Sequence, residues 1–205
     1  MGRAKVPRKS TSIDMSAMCD VSFLLLTFFI LTATARQPDP LEITTPSSSV
    51  QFKMPDKDIS ILSIGKGKVF LEIIGQDVKK ATLARMGNIY GQTFTEEESK
   101  KFAVVSAFGV PIGNMKQFLA MNGEQRTKSG IQSGIPNDST TNNELFNWVK
   151  EARFATSVLH GIDMRLSIKG NADEEYPTVR KVIDLLQKQK INKFSLITSS
   201  EGGAQ

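Results

Sequence analysis

Asp20 lies inside the segment DMSAMCDVSFLLLTFFILTATA (14–35), an otherwise nearly unbroken apolar run. A carboxyl in such a place can bind and release a proton or hold a small cation, but alone it breaks no covalent bond. Its position costs roughly 2.5–3.5 kcal/mol at the centre of a membrane helix on insertion scales, which makes a working role the default reading. Other chemistry-bearing residues are sparse. Cys19 is the only cysteine and His160 the only histidine, so there is no internal disulfide, cysteine metal cage or redox pair. Gly65-Lys66-Gly67 lacks the following helix and acidic partner of a phosphate loop. The run Glu96–Glu98 reads as a solvated helix start that suits the positive end of the helix dipole. With no nucleophile–base pair, metal cluster or cofactor motif, neither an enzyme nor a cofactor is expected.

The element that positions Asp20 is long. Met15 to Ala35 makes about 31 Å of helix, matching a hydrocarbon core of about 30 Å. A cleaved signal peptide is the competing reading, because a basic head, an h-region from Val21 to Leu31 and an A-x-A pattern at Ala33-Thr34-Ala35 are all present. That reading leaves Ser16–Asp20 without a purpose, so a span over 15–35 is expected. Arg3, Lys5, Arg8 and Lys9 precede the run with no acid among them, whereas Arg36 alone follows closely, near Asp39 and Glu42. The positive-inside rule then puts a cytoplasmic tail at 1–14 and nearly all the mass across the membrane.

At 100° per residue, Ser16, Thr27 and Thr34 fall within about 40° of Asp20, flanked by Phe23, Leu24 and Leu31. Serine and threonine can bond back to their own helix, but Asp20 has no such escape. It lies about 6–8 Å inside the run, so it must be protonated, paired or facing a wet path between helices. One helix has no interior. The polar stripe therefore implies an assembly.

The 205-residue chain carries a formal charge of +5, much of it in the head. The remaining charges are mixed and scattered, without the basic stripe and interleaved aromatics of a nucleic-acid surface.

The segment DMSAMCDVSFLLLTFFILT resembles the start of the span in the ExbD/TolR family, where an essential aspartate precedes a large apolar run; Asp20 takes that position. Ser16-Ala17 and Cys19 depart from the usual residues without touching it. DMRLSIKGNADEEYPTVRKVIDLLQKQKINKFSLIT (163–198) is similar to the family's closing strand–turn–helix–strand unit. The resemblance implies a single transmembrane helix plus an α+β periplasmic domain, a small mixed sheet with helices on one face. It further implies a proton-driven inner-membrane motor subunit with Asp20 as proton carrier. The implied partners are an ExbB/MotA-like polytopic protein, a pentamer around two copies of this chain, and a TonB-like protein. Ser16, Thr27 and Thr34 become candidates to line the path, and Leu41, Ile43 and Pro46 candidates for a switch just outside the membrane. A Tol-type role in envelope integrity is the alternative within the family; a secreted or anchored binding domain is the alternative outside it.

After the span, 36–55 is rich in Pro and Ser and reads as an extended linker before a domain at 56–200. ISILSIGKGKVFLEII forms a hairpin about Gly65-Lys66-Gly67. Asp163–Lys169 alternates as a strand with Met164, Leu166 and Ile168 inward. Val179, Val182, Ile183 and Leu186 repeat at helical spacing, with Pro177 in the first turn, and Phe194, Leu196 and Thr198 mark a closing strand. The segment 77–158 is longer than the family usually carries. Its expected helices are TEEESKKFAVVSAF, with a capping box of Thr95 and Glu98, PIGNMKQFLAM and NNELFNWVKEARFATSVL. The segment between the last two reads as a polar loop.

Overall fold

The structure, a computed structural model, describes residues 15–32, 47–48, 57–128, 130–137, 143–171, 174, 176–197 and 199–200. The chain divides into two units, residues 1–36 and 37–205.

The first unit is helix α1 (Met15–Thr32), with none of its residues buried. Three of its hydroxyls are satisfied within the helix. Ser22 donates to the Met18 carbonyl at 2.8 Å, Thr27 to Leu24 at 2.9 Å and Thr32 to Phe28 at 2.8 Å. That economy is what hydrocarbon demands of every polar group. Phe23, Phe29, Ile30 and Leu31 are all well over half exposed, a surface that water would not tolerate and lipid or neighbouring helices would cover.

The second unit is built on a five-stranded mixed sheet. β1 (Ser47–Ser48) stands apart and pairs in parallel with β7 (Ser199–Ser200). β2 (Ile59–Gly65) and β3 (Lys68–Ile73) form the expected hairpin. Its turn is tighter than the Gly-x-Gly reading, because Gly65 pairs with Lys68 and only Lys66 and Gly67 turn, at φ of 55° and 71°. Two positive φ values are the mark of a type I′ hairpin, whose twist matches the strands. β4 (Ala107–Phe108), β5 (Arg165–Gly170) and β6 (Ser195–Ile197) complete the order β4-β3-β2-β5-β6. β3 runs antiparallel to both β2 and β4, while β5 runs parallel to both β2 and β6.

The helices are α2 (Gln76–Tyr90), α3 (Glu96–Val104), α4 (Met115–Ala120), α5 (Gly123–Lys128), α6 (Glu144–His160) and α7 (Tyr176–Lys188). α3 begins with the expected capping box, Thr95 and Glu98 exchanging side-chain and backbone bonds. It ends at Val104, short of the helical reading through Phe108, because Ala107 and Phe108 join the ladder opposite Glu72 and Leu71. α2 was not among the expected helices. Its Gly87 and Gly91 weaken the periodic signal, yet Gly91 supplies the left-handed C-cap that ends it, at φ 66°.

Leu62, Ile64, Val69, Leu71, Leu166 and Ile168 on one sheet face form a continuous core with Val78, Leu83 and Met86 of α2, Trp148 and Val149 of α6, and Val182 and Leu186 of α7. The segment 77–158 is integral to this core: Phe102, Phe108, Phe118 and Trp148 are its largest fully buried side chains. The closing strand differs from a core strand, for Leu196 is 64% exposed on the sheet's edge.

Candidate functional site

Asp20 sits in the second turn of α1, with one turn of helix before it. Among the described residues no hydrogen bond or ion pair reaches its carboxyl. On the helical projection Ser16 and Thr27 share its side, so the described part of the polar stripe is one face of a continuous helix. Thr27, the only half-buried residue of α1, spends its proton on the Leu24 carbonyl and keeps its lone pairs for a neighbour. Ser16 also has a bonding partner. Thr34, Leu41, Ile43 and Pro46 lie outside the described residues, as do the basic head and residues 33–35. A carboxyl on an apolar helix, without a partner among the described residues, is chemically suited to taking up and giving back one cation at a time.

In the second unit, burial perturbs several charged groups. Lys79 of α2 is buried and donates to the carbonyls of Val105 and Ala103, satisfying the end of α3; desolvation lowers its pKa. Glu144 accepts the Ile112 N–H at 2.9 Å, and burial raises its carboxyl above the usual range despite that bond. Arg126 bonds the Phe118 and Leu119 carbonyls and closes α4. These groups serve helix ends, not a ligand.

The one cluster that the sequence did not disclose surrounds His160. As a lone histidine it offered no motif, yet folding carries it to two aspartates distant in sequence. Its Nδ1 meets the Asp58 carboxylate, and its Nε2 meets Asp77 Oδ2 at 2.7 Å. Sequence spacing carried no signal for this, because residues 58, 77 and 160 are joined only by the sheet and two helices. The carboxylates lie on opposite ring nitrogens and therefore do not converge on a point, and among the described residues no group of His, Cys, Asp and Glu is arranged to hold a metal.

No curated protein and no solved structure matches this chain. The family model described as "Biopolymer transport protein ExbD/TolR" matches residues 7–201, nearly its whole length and including the segment 77–158. That range takes in both the Asp20 helix and the strand–helix–strand unit at the C-terminus. The chain belongs to the ExbD/TolR family of biopolymer transport proteins.

Proposed function

We propose that this chain is the ion-coupling subunit of an inner-membrane motor that energises TonB-dependent transport across the outer membrane. Its family works in biopolymer transport with membrane partner proteins, and its members are transport-coupling proteins rather than enzymes. The observation that carries the finer reading is Asp20, a carboxyl on an apolar helix none of whose residues is buried, in a chain of this family. An exposed α1 bearing an acid gains from burial among the helices of an ExbB/MotA-like partner, where the acid faces a wet path. Two copies of this chain inside a pentamer would place two such carboxyls on that path.

In this reading Asp20 takes a proton from the side opposite the basic head and releases it toward the cytoplasm. The neutral form tolerates an apolar neighbour and the charged form does not, so each transfer changes which face of the bundle α1 prefers. One charge crossing 100 mV carries about 2.3 kcal/mol, so appreciable mechanical work takes several protons. The C-terminal domain, placed in the periplasm by the charge asymmetry of the sequence, passes the motion to a TonB-like protein.

The test is Asp20→Asn, scored for growth on a nutrient that enters only by TonB-dependent uptake, with protein level and partner co-purification measured alongside. Normal assembly with uptake abolished supports the reading. Retained uptake with an intact envelope reduces α1 to an anchor. Intact uptake with a leaky envelope moves the chain to the Tol-type role.

A further inference from the structure

The geometry points to a protonation-operated latch in the C-terminal domain, in which the imidazolium of His160 ties the start of β2 and the first turn of α2 to the end of α6, and loss of its proton releases α2. It stands on the second unit alone, so its test is independent of the role of Asp20.

Donor arithmetic comes first. Both ring nitrogens of His160 face carboxylate oxygens, which only accept. A neutral imidazole has one N–H and one lone pair, and can satisfy only one of them. The other nitrogen would then set a lone pair against an anion at hydrogen-bond distance. The arrangement is therefore that of the charged ring. Each element end also favours the charge it carries: His160 is the last residue of α6, where the helix dipole suits a cation, and Asp77 lies in the first turn of α2, where it suits an anion. The two aspartates raise the pKa of His160 above its ordinary value near 6.5. The His160 bond is the largest cause lowering that of Asp77.

The exposures decide which arm lets go. The Asp58 side chain is 17% exposed and that of Asp77 is 55% exposed. Asp77 can turn to water and to the backbone N–H of Val78, whereas Asp58 has little room to leave. A cleft of about 410 Å³ beside the cluster, lined by Lys57, Ile74 and Gly75 as well as the three partners, admits that water. Lys57 is the other charged group on this cleft; Arg165 of β5 meets Asp58 through its backbone N–H at 2.9 Å.

The backbone around the latch adopts two positive-φ conformations. Asp58 holds a left-handed conformation, φ 57°, and Gly75, at the N-cap of α2, holds φ 118° with no side-chain cap. Conformations of that kind persist where surrounding contacts over-determine them. The latch lies where the chain enters the sheet, immediately before β2. A domain so built is held firm at that end while the ring is charged and loosens as pH rises through its raised pKa.

Because His160 is the only histidine, its imidazole signals in NMR spectra of the full-length protein in detergent micelles need no assignment. The wild-type ring should titrate above pH 6.5, and Asp77→Asn, a change at an exposed residue, should bring the midpoint down. Hydrogen exchange gives the mechanical readout. The Lys79 amide, bonded to the Gly75 carbonyl at 3.1 Å, should exchange severalfold faster relative to amides in the middle of α2 as pH passes the midpoint. In His160→Gln that ratio should be independent of pH. A wild-type midpoint near 6.5 that Asp77→Asn leaves unmoved overturns the latch, and so does the same pH-dependent exchange ratio in wild type and His160→Gln.

Discussion

Arg85 of α2 donates from Nε to Glu151 of α6 at 2.5 Å, and its guanidinium carbon lies 4.0 Å from the centre of the Phe154 ring three residues further along α6. The Glu151 side chain is 6% exposed against 42% for Arg85, so one end of the pair is sealed and the other reaches water. Removing the arginine strands a buried carboxylate. A fully buried pair broken this way costs about 3–5 kcal/mol, and the half-exposed arginine reduces that through solvent screening. Arg85→Ala should therefore cost about 2 kcal/mol in urea unfolding, and Arg85→Met with Glu151→Met together should recover most of the loss. A cost below about 0.5 kcal/mol for Arg85→Ala would place the pair with ordinary surface ion pairs.

Trp148 anchors the aromatic centre of the core. Its ring stacks on Phe102 with centroids 5.9 Å apart and meets Phe108 edge-on at 4.9 Å. Its Nε1 is buried without an acceptor among the described residues. Trp148→Ala should cost about 3–5 kcal/mol. Trp148→Phe should cost less, since it keeps a ring for both contacts and removes an unpaired donor. As the only tryptophan it also reports on itself, with blue-shifted emission in the folded chain that moves red in urea.

How much of this was legible in the sequence depended on whether the signal was local. The β2–β3 hairpin, the Thr95 capping box, the β5 alternation and the apolar periodicity of α7 are written in neighbouring residues. So is the placing of Asp20 among apolar residues. What was not legible depends on partners far along the chain. Ala107 and Phe108 look helical until Leu71 and Glu72 offer a ladder. α2 owes its place to packing of Val78, Leu83 and Met86 more than to propensity. The His160 cluster joins residues 19 to 102 positions apart, and no local pattern encodes it.

Gly109 illustrates a constraint of that distant kind. A Cβ on it would collide with the Phe70 ring, which is 2% exposed and packs against the bare Cα. The Gly109 N–H is held by Gln132 Oε1 at 3.2 Å, and its carbonyl accepts the Gly134 N–H at 2.9 Å, so the backbone cannot easily retreat. Gly109→Ala should cost about 1–3 kcal/mol as overpacking. Phe70→Leu in the same chain should return part of it, and thermal unfolding of the two single variants and the double gives the coupling.

Glu144 should make stability depend on pH. Burial raises its pKa, so the folded chain binds that proton more tightly than the unfolded chain does. Its contribution is therefore best at low pH and is lost as pH rises from about 4.5, the ordinary value, through the raised one. Glu144→Gln keeps an oxygen for the Ile112 N–H and removes the ionisation. Melting curves at pH 4 and pH 7 should show the variant level with wild type at the first and slightly more stable at the second. A variant destabilised equally at both would mean that the carboxylate is a better partner for Ile112 than the amide.

Thr27 offers a test of the polar stripe that leaves Asp20 intact. Its hydroxyl proton is engaged with the Leu24 carbonyl, so what it can give a neighbouring ion or water is an acceptor. Valine has nearly the same shape and no acceptor; serine keeps the acceptor and loses only a methyl group. If the stripe lines the ion path, Thr27→Val should slow TonB-dependent uptake, with Thr27→Ser close to wild type and partner co-purification unchanged in both. A hydrogen bond to a charged group is worth about 1.5–3 kcal/mol, which sets the expected loss at roughly 10- to 100-fold where that bond forms in the limiting step. Equal uptake by the valine and serine variants would leave Thr27 bonding only to its own helix. The path would then be carried by Asp20 and its partner's side chains.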